Sequence, residues 1–302
     1  MRDTFVKTLL TEARADPNVM LITGDLGFGV LEEFERELPS QFINAGVAEQ
    51  SMVGLASGIA STGKRVFVYS IANFPTVRAL EQIRNDVCYM NNPVVIVAVG
   101  SGYSYGSQGY THHALEDMAV MRALPNMNVV SPADPVETEI LTRYLVRDKR
   151  PTYFRLGRSG EKILNQEVPQ IEDGRFNRLF DGKDGTILFT GSIGSNVIAA
   201  RETLKSQGIE VSVFSVPFIS NISELDLRSL DNTRPIVIVE EHSIRGGLTS
   251  ALLEKIAITG LETRVIPVTA SQINLSNIGN QSYLREINGL GVTRIASYFL
   301  DM

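Results

Sequence analysis

The chain has 302 residues, of which 43% are hydrophobic and 21% charged, and a formal net charge of −6. This composition supports a large buried core and argues against disorder. An acidic chain with no basic block gives no support to a nucleic-acid or anionic-membrane role. No apolar run reaches the roughly 18 residues that span a bilayer. A single cysteine, Cys88, excludes an internal disulfide and a Cys-rich metal site. Residues 1–17 mix acidic and basic groups on an amphipathic stretch, unlike a secretion signal, so the expected compartment is the cytoplasm.

Taken in order, the periodicity predicts a helix over 5–14, with Phe5, Leu9 and Leu10 on one face. A short apolar strand follows over 19–23 and ends at Gly24-Asp25. A second strand over 41–44 leads into Gly46, and 49–61, rich in Ala, Gly, Met and Leu, reads as a closely packed helix. Then come a strand over 65–70 and a helix over 76–89 with Leu80, Ile83 and Val87 at core spacing. The run 93–99 is continuously apolar, as expected of a parallel strand covered on both faces. A short helix over 116–122, a strand over 128–131, a helix over 135–146 and a strand over 152–156 complete the first half.

Residues 165–185 are polar and turn-rich without a clear period, and read as a linker. A second alternating unit follows: strands over 186–190, 210–215, 235–240 and 264–267, and helices over 196–207, 225–229 and 246–257. The βαβ alternation predicts two three-layer α/β/α domains with mostly parallel sheets, over 1–164 and 186–302.

In such folds ligands sit beyond the carboxyl ends of the strands, so the residues there carry the functional reading. After the first strand, Asp25 is either a turn and cap residue or a site residue. After the second, Glu49 opens a helix whose next turns are apolar: Met52, Val53, Leu55, Ala56 and Ile59. A glutamate at a helix start is ordinary. Enclosed by such a helix, it would have a raised pKa and could keep a proton for catalysis. Phe74, after the third strand, suits either the core or stacking on a flat ring. The long glycine-rich stretch 100–113 holds Tyr103, Tyr105, Tyr110, His112 and His113, two of the three histidines of the chain. It is a weak dinucleotide fingerprint, a poor metal site without carboxylates, and long enough to expect a function. Arg155 and Arg158 suit either an anion site or a salt bridge between domains.

These segments together resemble the transketolase family of thiamine diphosphate enzymes. The resemblance is carried, in order, by Gly24-Asp25, Gly46-Val47-Ala48-Glu49-Gln50, Phe74 with Glu81-Gln82-Ile83-Arg84-Asn85, and Gly109-Tyr110-Thr111-His112. It continues through Leu124-Pro125-Asn126-Met127, Pro132-Ala133-Asp134, Arg155-Leu156-Gly157-Arg158, Val239-Glu240-Glu241-His242-Ser243 and Gly246-Gly247. It implies a pyrimidine-binding domain followed by the family's C-terminal domain. The family's diphosphate-binding marker, G-D-G followed some way on by Asn, is not found in this sequence. The resemblance therefore implies a second subunit that carries the diphosphate-binding domain and most of the Mg²⁺ coordination, with a heterotetramer as the expected assembly.

Residue by residue, the resemblance implies that Glu49 hydrogen-bonds N1′ of the cofactor's aminopyrimidine and promotes the imino tautomer that takes the thiazolium C2 proton. Phe74 would stack on the pyrimidine, with Ile71 and Asp25 also at the cofactor. His112 would handle substrate protons and Arg158 would hold a sugar phosphate. His242 matches no assigned position. Three departures stand out. Gln108 replaces an acidic residue at a substrate-binding position, Gly100 replaces a substrate-contacting histidine, and Gly29 replaces a phosphate-binding serine. Tyr103, Tyr105 and Tyr110 are expected to reshape the entrance.

The leading expectation is one subunit of a two-chain transketolase moving a two-carbon ketol unit from a ketose to an aldose. Alternatives on the same cofactor are the β subunit of a 2-oxo acid dehydrogenase and a 1-deoxyxylulose-5-phosphate synthase-like enzyme. A noncatalytic partner subunit is the alternative of another class, and a nicotinamide oxidoreductase has only the imperfect glycine loop in its favour.

Overall fold

The computed structural model describes residues 1–231, 233–271 and 275–300. The other positions of the expected second domain lie outside the described residues.

The first domain runs α1 (Arg2–Ala15), β1 (Val19–Thr23), α2 (Glu32–Glu37), β2 (Phe42–Asn44), α3 (Glu49–Ala60) and β3 (Arg65–Ile71). Next are two π-helical turns, Phe74–Arg78 and Ile83–Tyr89, on either side of α4 (Leu80–Gln82). Then come β4 (Val94–Val99), α5 (Asp117–Arg122), β5 (Asn128–Val130), α6 (Pro135–Arg147) and β6 (Thr152–Leu156). The sheet order is β2-β1-β3-β4-β6-β5, and every pair is parallel. Side chains alternate between faces along each strand. Leu21, Phe67, Val95 and Val97 pack with Phe5 and Leu9 of α1 and Leu141 and Leu145 of α6. Ile22, Val68 and Ile96 pack oppositely with Met52, Val53 and Ala56 of α3 and with Ile83 and Val87. Such double covering is why β4 is buried at every residue. Helix α6 starts sharply because Asp134 accepts a hydrogen bond from the Glu137 N–H and Pro135 opens the first turn.

The second domain runs β7 (Asn177–Phe180), β8 (Thr186–Thr190), α7 (Gly194–Lys205), β9 (Ser212–Ser215), α8 (Glu224–Ser229), β10 (Ile236–Glu240), α9 (Leu248–Thr259), β11 (Val265–Thr269), α10 (Gln281–Ile287) and α11 (Val292–Leu300). Its sheet order is β11-β10-β8-β9-β7, parallel except for β7, which runs antiparallel to β9. The two α/β/α layers with mostly parallel sheets agree with the expected fold class.

The structure adds α2, α10 and α11, which the periodicity did not predict, and differs from the expected elements in two further places. The stretch 165–185, read as a linker, contains the edge strand β7. Its pattern is hard to see because an edge strand pairs on one side only: Asn177 is buried, Arg178 exposed, and Leu179 and Phe180 half-buried. The expected helix 76–89 is mostly π-helical and starts earlier, at Phe74. Such widened turns are rare and recur at functional sites.

The second domain holds the histidine loop of the first in place. Arg155 of β6 is buried and donates to Asp117 at 2.7 Å, to the Ala114 carbonyl at 2.8 Å and to the Glu241 carbonyl at 3.0 Å. The Glu241 carboxylate in turn accepts the Tyr103 N–H at 3.0 Å and Arg285 at 2.6 Å. Burial alone would raise the Asp117 pKa, but the Arg155 charge and the nearby His242 outweigh it and hold it below the ordinary carboxylate value. His242 is fully buried, with Nδ1 donating to the Ser243 carbonyl at 2.8 Å and Nε2 3.7 Å from Asp117. Arg155 thus forms its salt bridge within the first domain, to Asp117, and reaches the second only by the hydrogen bond to the Glu241 carbonyl. Among the described residues no helix is long and apolar enough to cross a membrane.

Candidate functional site

The carboxyl ends of β1, β2, β3, β4 and β6 bring the singled-out residues to one edge of the first sheet. Asp25 follows β1 with a left-handed backbone, φ 58°. It is exposed and tied to β2 by a reciprocal pair. Its N–H donates to Asn44 Oδ1 at 3.1 Å, and Asn44 Nδ2 donates to its carboxylate at 3.0 Å. Ile71 ends β3 opposite Val99 and is half-buried.

Glu49 is the first residue of α3 and only 6% exposed. The preceding Ala48 supplies no side-chain cap, so the helix entrance is shaped by the backbone turn at Gly46, φ 72°. The Glu49 carboxylate accepts a hydrogen bond from Arg78 Nη1 at 2.9 Å. The same guanidinium lies over the Phe74 ring, 4.0 Å from its centroid. Phe74 and Arg78 bound a single π turn, which places their side chains together. Arg78 escaped notice in the sequence. The available signal was its spacing of four from Phe74, which puts both on one helix face.

His112 also meets Phe74, with ring centroids 5.2 Å apart and edge-on geometry. It is half-buried, and its Nδ1 lies 3.0 Å from the Thr111 hydroxyl. Asn73 secures this stretch by donating to the Thr111 and His113 carbonyls. Phe74, Arg78, Thr111, His112, Glu116 and Asp117 are among the residues that line a cleft of about 480 Å³. Arg78 also lines an adjoining cleft with Val47, Glu49 and Ser51.

Arg158 does not share the His112 cleft. It is exposed and lines a polar cleft between the domains with Ser104, Lys162 and Arg285. The two are linked through Tyr105, whose ring centroid lies 6.5 Å from that of His112 and 5.2 Å from the Arg158 guanidinium. Burial raises the Tyr105 pKa and the Arg158 charge works against that rise. Gln108 is exposed on a 3-10 turn and does not line the His112 cleft. The other tyrosines diverge: Tyr103 is buried against His113, and Tyr110 is exposed and donates to Glu116 at 3.1 Å. His113 is itself buried, which lowers its pKa, and contacts the Gly106 carbonyl at 3.3 Å. A row therefore runs Glu49, Arg78, Phe74, His112, Tyr105, Arg158, each touching the next.

Polar Gln50, Ser51 and Arg78 line the Glu49 cleft beside Val47, and three apolar side chains on the segments that carry Glu49 and Arg78 are exposed. Val47 is 74% exposed, Val77 65% and Leu55 42%. On the outward side of α3, Gly54 and Gly58 face open space. Among the described residues no group of three or more His, Cys, Asp or Glu is placed to hold a metal ion.

Comparison with known proteins gives the family. The transketolase pyrimidine-binding domain matches residues 1–160, and the transketolase C-terminal domain matches residues 174–293. The chain is 37% identical over 270 residues to one of the subunits of an apulose-4-phosphate transketolase of Phocaeicola vulgatus, covering 88% of this chain and 86% of that one. It is 31% identical over 299 residues to a 6-deoxy-6-sulfo-D-fructose transketolase subunit, SqwH, of a Clostridium species, covering 98% of this chain and 92% of that one. A split-gene transketolase solved as an inactive β4 tetramer superimposes with a TM-score of 0.89 at 32% identity, over 99% of this chain and 97% of that one. Two domain matches in order, near-complete coverage by single-subunit relatives and the strand-end site lead to one conclusion: the chain belongs to the transketolase family, as a transferase subunit made of its pyrimidine-binding and C-terminal domains.

Proposed function

We propose that this chain is one subunit of a two-chain, thiamine diphosphate-dependent transketolase that transfers a two-carbon ketol unit from a ketose phosphate to an aldose. Membership of the family implies the cofactor. The observation that carries the reading is the pairing of Glu49 and Phe74. Arg78 touches both at once, so the carboxylate and the ring are placed to engage one flat N–H donor together. An aminopyrimidine that carries a proton at N1′ is such a group, and the residues present fit it.

When bound, thiamine diphosphate supplies a carbon nucleophile at C2 of its thiazolium. Glu49 holds a proton at N1′ of the aminopyrimidine, in a position water barely reaches. Phe74 supports the ring face, with Ile71 and Asp25 bordering it from the ends of β3 and β1. His112, beyond Phe74, moves protons at the substrate's oxygens. Arg158, exposed past Tyr105, meets the anionic end of the sugar, with Gln108 near the mouth. The second polypeptide contributes the diphosphate site and Mg²⁺ coordination, and docks over Val47, Leu55 and Val77, apolar side chains left exposed on the segments that carry Glu49 and Arg78. Helical glycines that face open space favour close approach of another chain. Two such pairs make the heterotetramer. The β4 assembly of the related split transketolase, described as inactive, supports the need for a second kind of subunit.

The test is C2 proton exchange of thiamine diphosphate bound to the assembled two-chain enzyme. Glu49→Gln is expected to slow exchange strongly while folding normally. Exchange near the wild-type rate in that variant would exclude Glu49 from the mechanism. This chain on its own is expected to be inactive and to bind thiamine diphosphate weakly. Robust turnover by the single chain would remove the partner from the reading.

A further inference from the structure

The Arg78 guanidinium makes, within this chain, both contacts that the proposed function gives to the aminopyrimidine. It donates to Glu49 at 2.9 Å and covers the Phe74 ring at 4.0 Å. The chemical likeness is close. Guanidinium is flat and delocalised, carries N–H donors at its edge, and its faces are weakly hydrated enough to stack on an aromatic ring. Ring contact at 4.0 Å leaves no room for a second flat group on that face, and the Nη1 donor holds the carboxylate oxygen facing it. The cofactor ring and the guanidinium therefore exclude each other.

We propose that Arg78 is a positioning residue. It holds Glu49 and Phe74 at the spacing a flat donor requires, and moves aside when the aminopyrimidine arrives. Three features support this role. Glu49 is almost fully enclosed, and a buried carboxylate without a partner is costly, so a cation belongs there until the ring replaces it. Arg78 is itself 50% exposed, so its side chain leaves without disturbing the core. It also lines both the Glu49 cleft and the His112 cleft, and among the described residues no other lines the two. Its departure joins them into one space that runs from the carboxylate to the histidine. The inference rests on the proposed function and adds a displacement step to it.

The test uses the assembled two-chain enzyme, with thiamine diphosphate binding followed by calorimetry and thermal melting followed before cofactor is added. Arg78→Ala is expected to bind thiamine diphosphate about fivefold to tenfold more tightly, because a cation–π contact and an ion pair no longer compete. Before cofactor addition the same variant melts below wild type. Millimolar methylguanidinium restores its melting temperature and competes with thiamine diphosphate. It does neither in Arg78→Ala/Glu49→Gln, where the charged acceptor is gone. Arg78→Met keeps the packing of the stem and shows the same tightening, should the alanine variant fold poorly. Affinity that is unchanged or weaker in both variants overturns the proposal, the weaker case marking Arg78 as a cofactor ligand. A methylguanidinium response that is absent, or that survives Glu49→Gln, overturns it as well. If neither wild type nor any variant binds thiamine diphosphate, the functional reading itself falls, and this inference with it.

Discussion

The ring of Tyr105 lies where a side chain on Gly100 would stand: a Cβ built on Gly100 comes within 2.1 Å of the ring. Gly100 also has a left-handed backbone, φ 94°. At the glycine read from the resemblance as replacing a histidine, the loop thus delivers an aromatic, set between His112 and Arg158.

Gly100→Ala is expected to destabilise the chain by about 1–3 kcal/mol from backbone strain, with a further cost from displacing Tyr105. In a Tyr105→Ala background only the strain is left, so the same substitution costs less. Urea denaturation of the four proteins checks this. Equal cost in both backgrounds would show that the ring is no obstacle.

His112 touches Phe74 only edge-on and is tied to Thr111 rather than to Glu49. His112→Ala is therefore expected to lower kcat by about a hundredfold, within the range of general acid–base catalysis, and to change thiamine diphosphate affinity far less. Steady-state kinetics beside calorimetry separates the two. Parallel losses would make the histidine a structural member of the cleft.

Arg155 and Asp117 form a fully buried pair that also receives the Tyr153 hydroxyl at 2.6 Å. Arg155→Met strands the carboxylate and is expected to cost about 3–5 kcal/mol. Arg155→Met/Asp117→Asn is expected to recover part of that loss. Because Arg155 also holds the Ala114 and Glu241 carbonyls, the single variant should expose the 100–114 loop to protease. Denaturation midpoints and cleavage mapping test both effects.

Glu137 predicts a pH dependence. Complete burial lifts its pKa from 4.5 to about 7, against the opposing hydrogen bonds from Asn177, the Ala133 N–H and Ser215. The folded chain thus keeps a proton that the unfolded chain loses near 4.5. This group's stabilisation is full below the unfolded value and declines as pH rises through about 7. At about 1.4 kcal/mol per unit, the decline is a few kcal/mol at most. Glu137→Gln is expected to flatten the stability profile between about pH 5 and about pH 8. An unchanged slope in that variant would assign it to another group.

Much of the architecture was legible before folding because its signals are local. An all-apolar run such as 94–99 suits a strand covered on both faces, and the alternation of such runs with helical periods implies parallel α/β sheets. Strand ends then pointed to Asp25, Glu49, Phe74, His112 and Arg158. The edge strand β7 was hidden because one-sided pairing demands little apolar sequence. The widened turns at Phe74–Arg78 and Ile83–Tyr89 were hidden because their spacing differs little from an ordinary helix.

By itself, then, the order of residues determined the layers, the sheet types and the edge at which chemistry gathers. Only the tertiary structure decided which side chains meet: Arg78 on both Glu49 and Phe74, Tyr105 between His112 and Arg158, Arg155 on Asp117 rather than on a ligand. The reason is physical. Periodicity reports which face of an element turns inward, whereas ion pairs and ring contacts depend on distances between elements far apart in the chain.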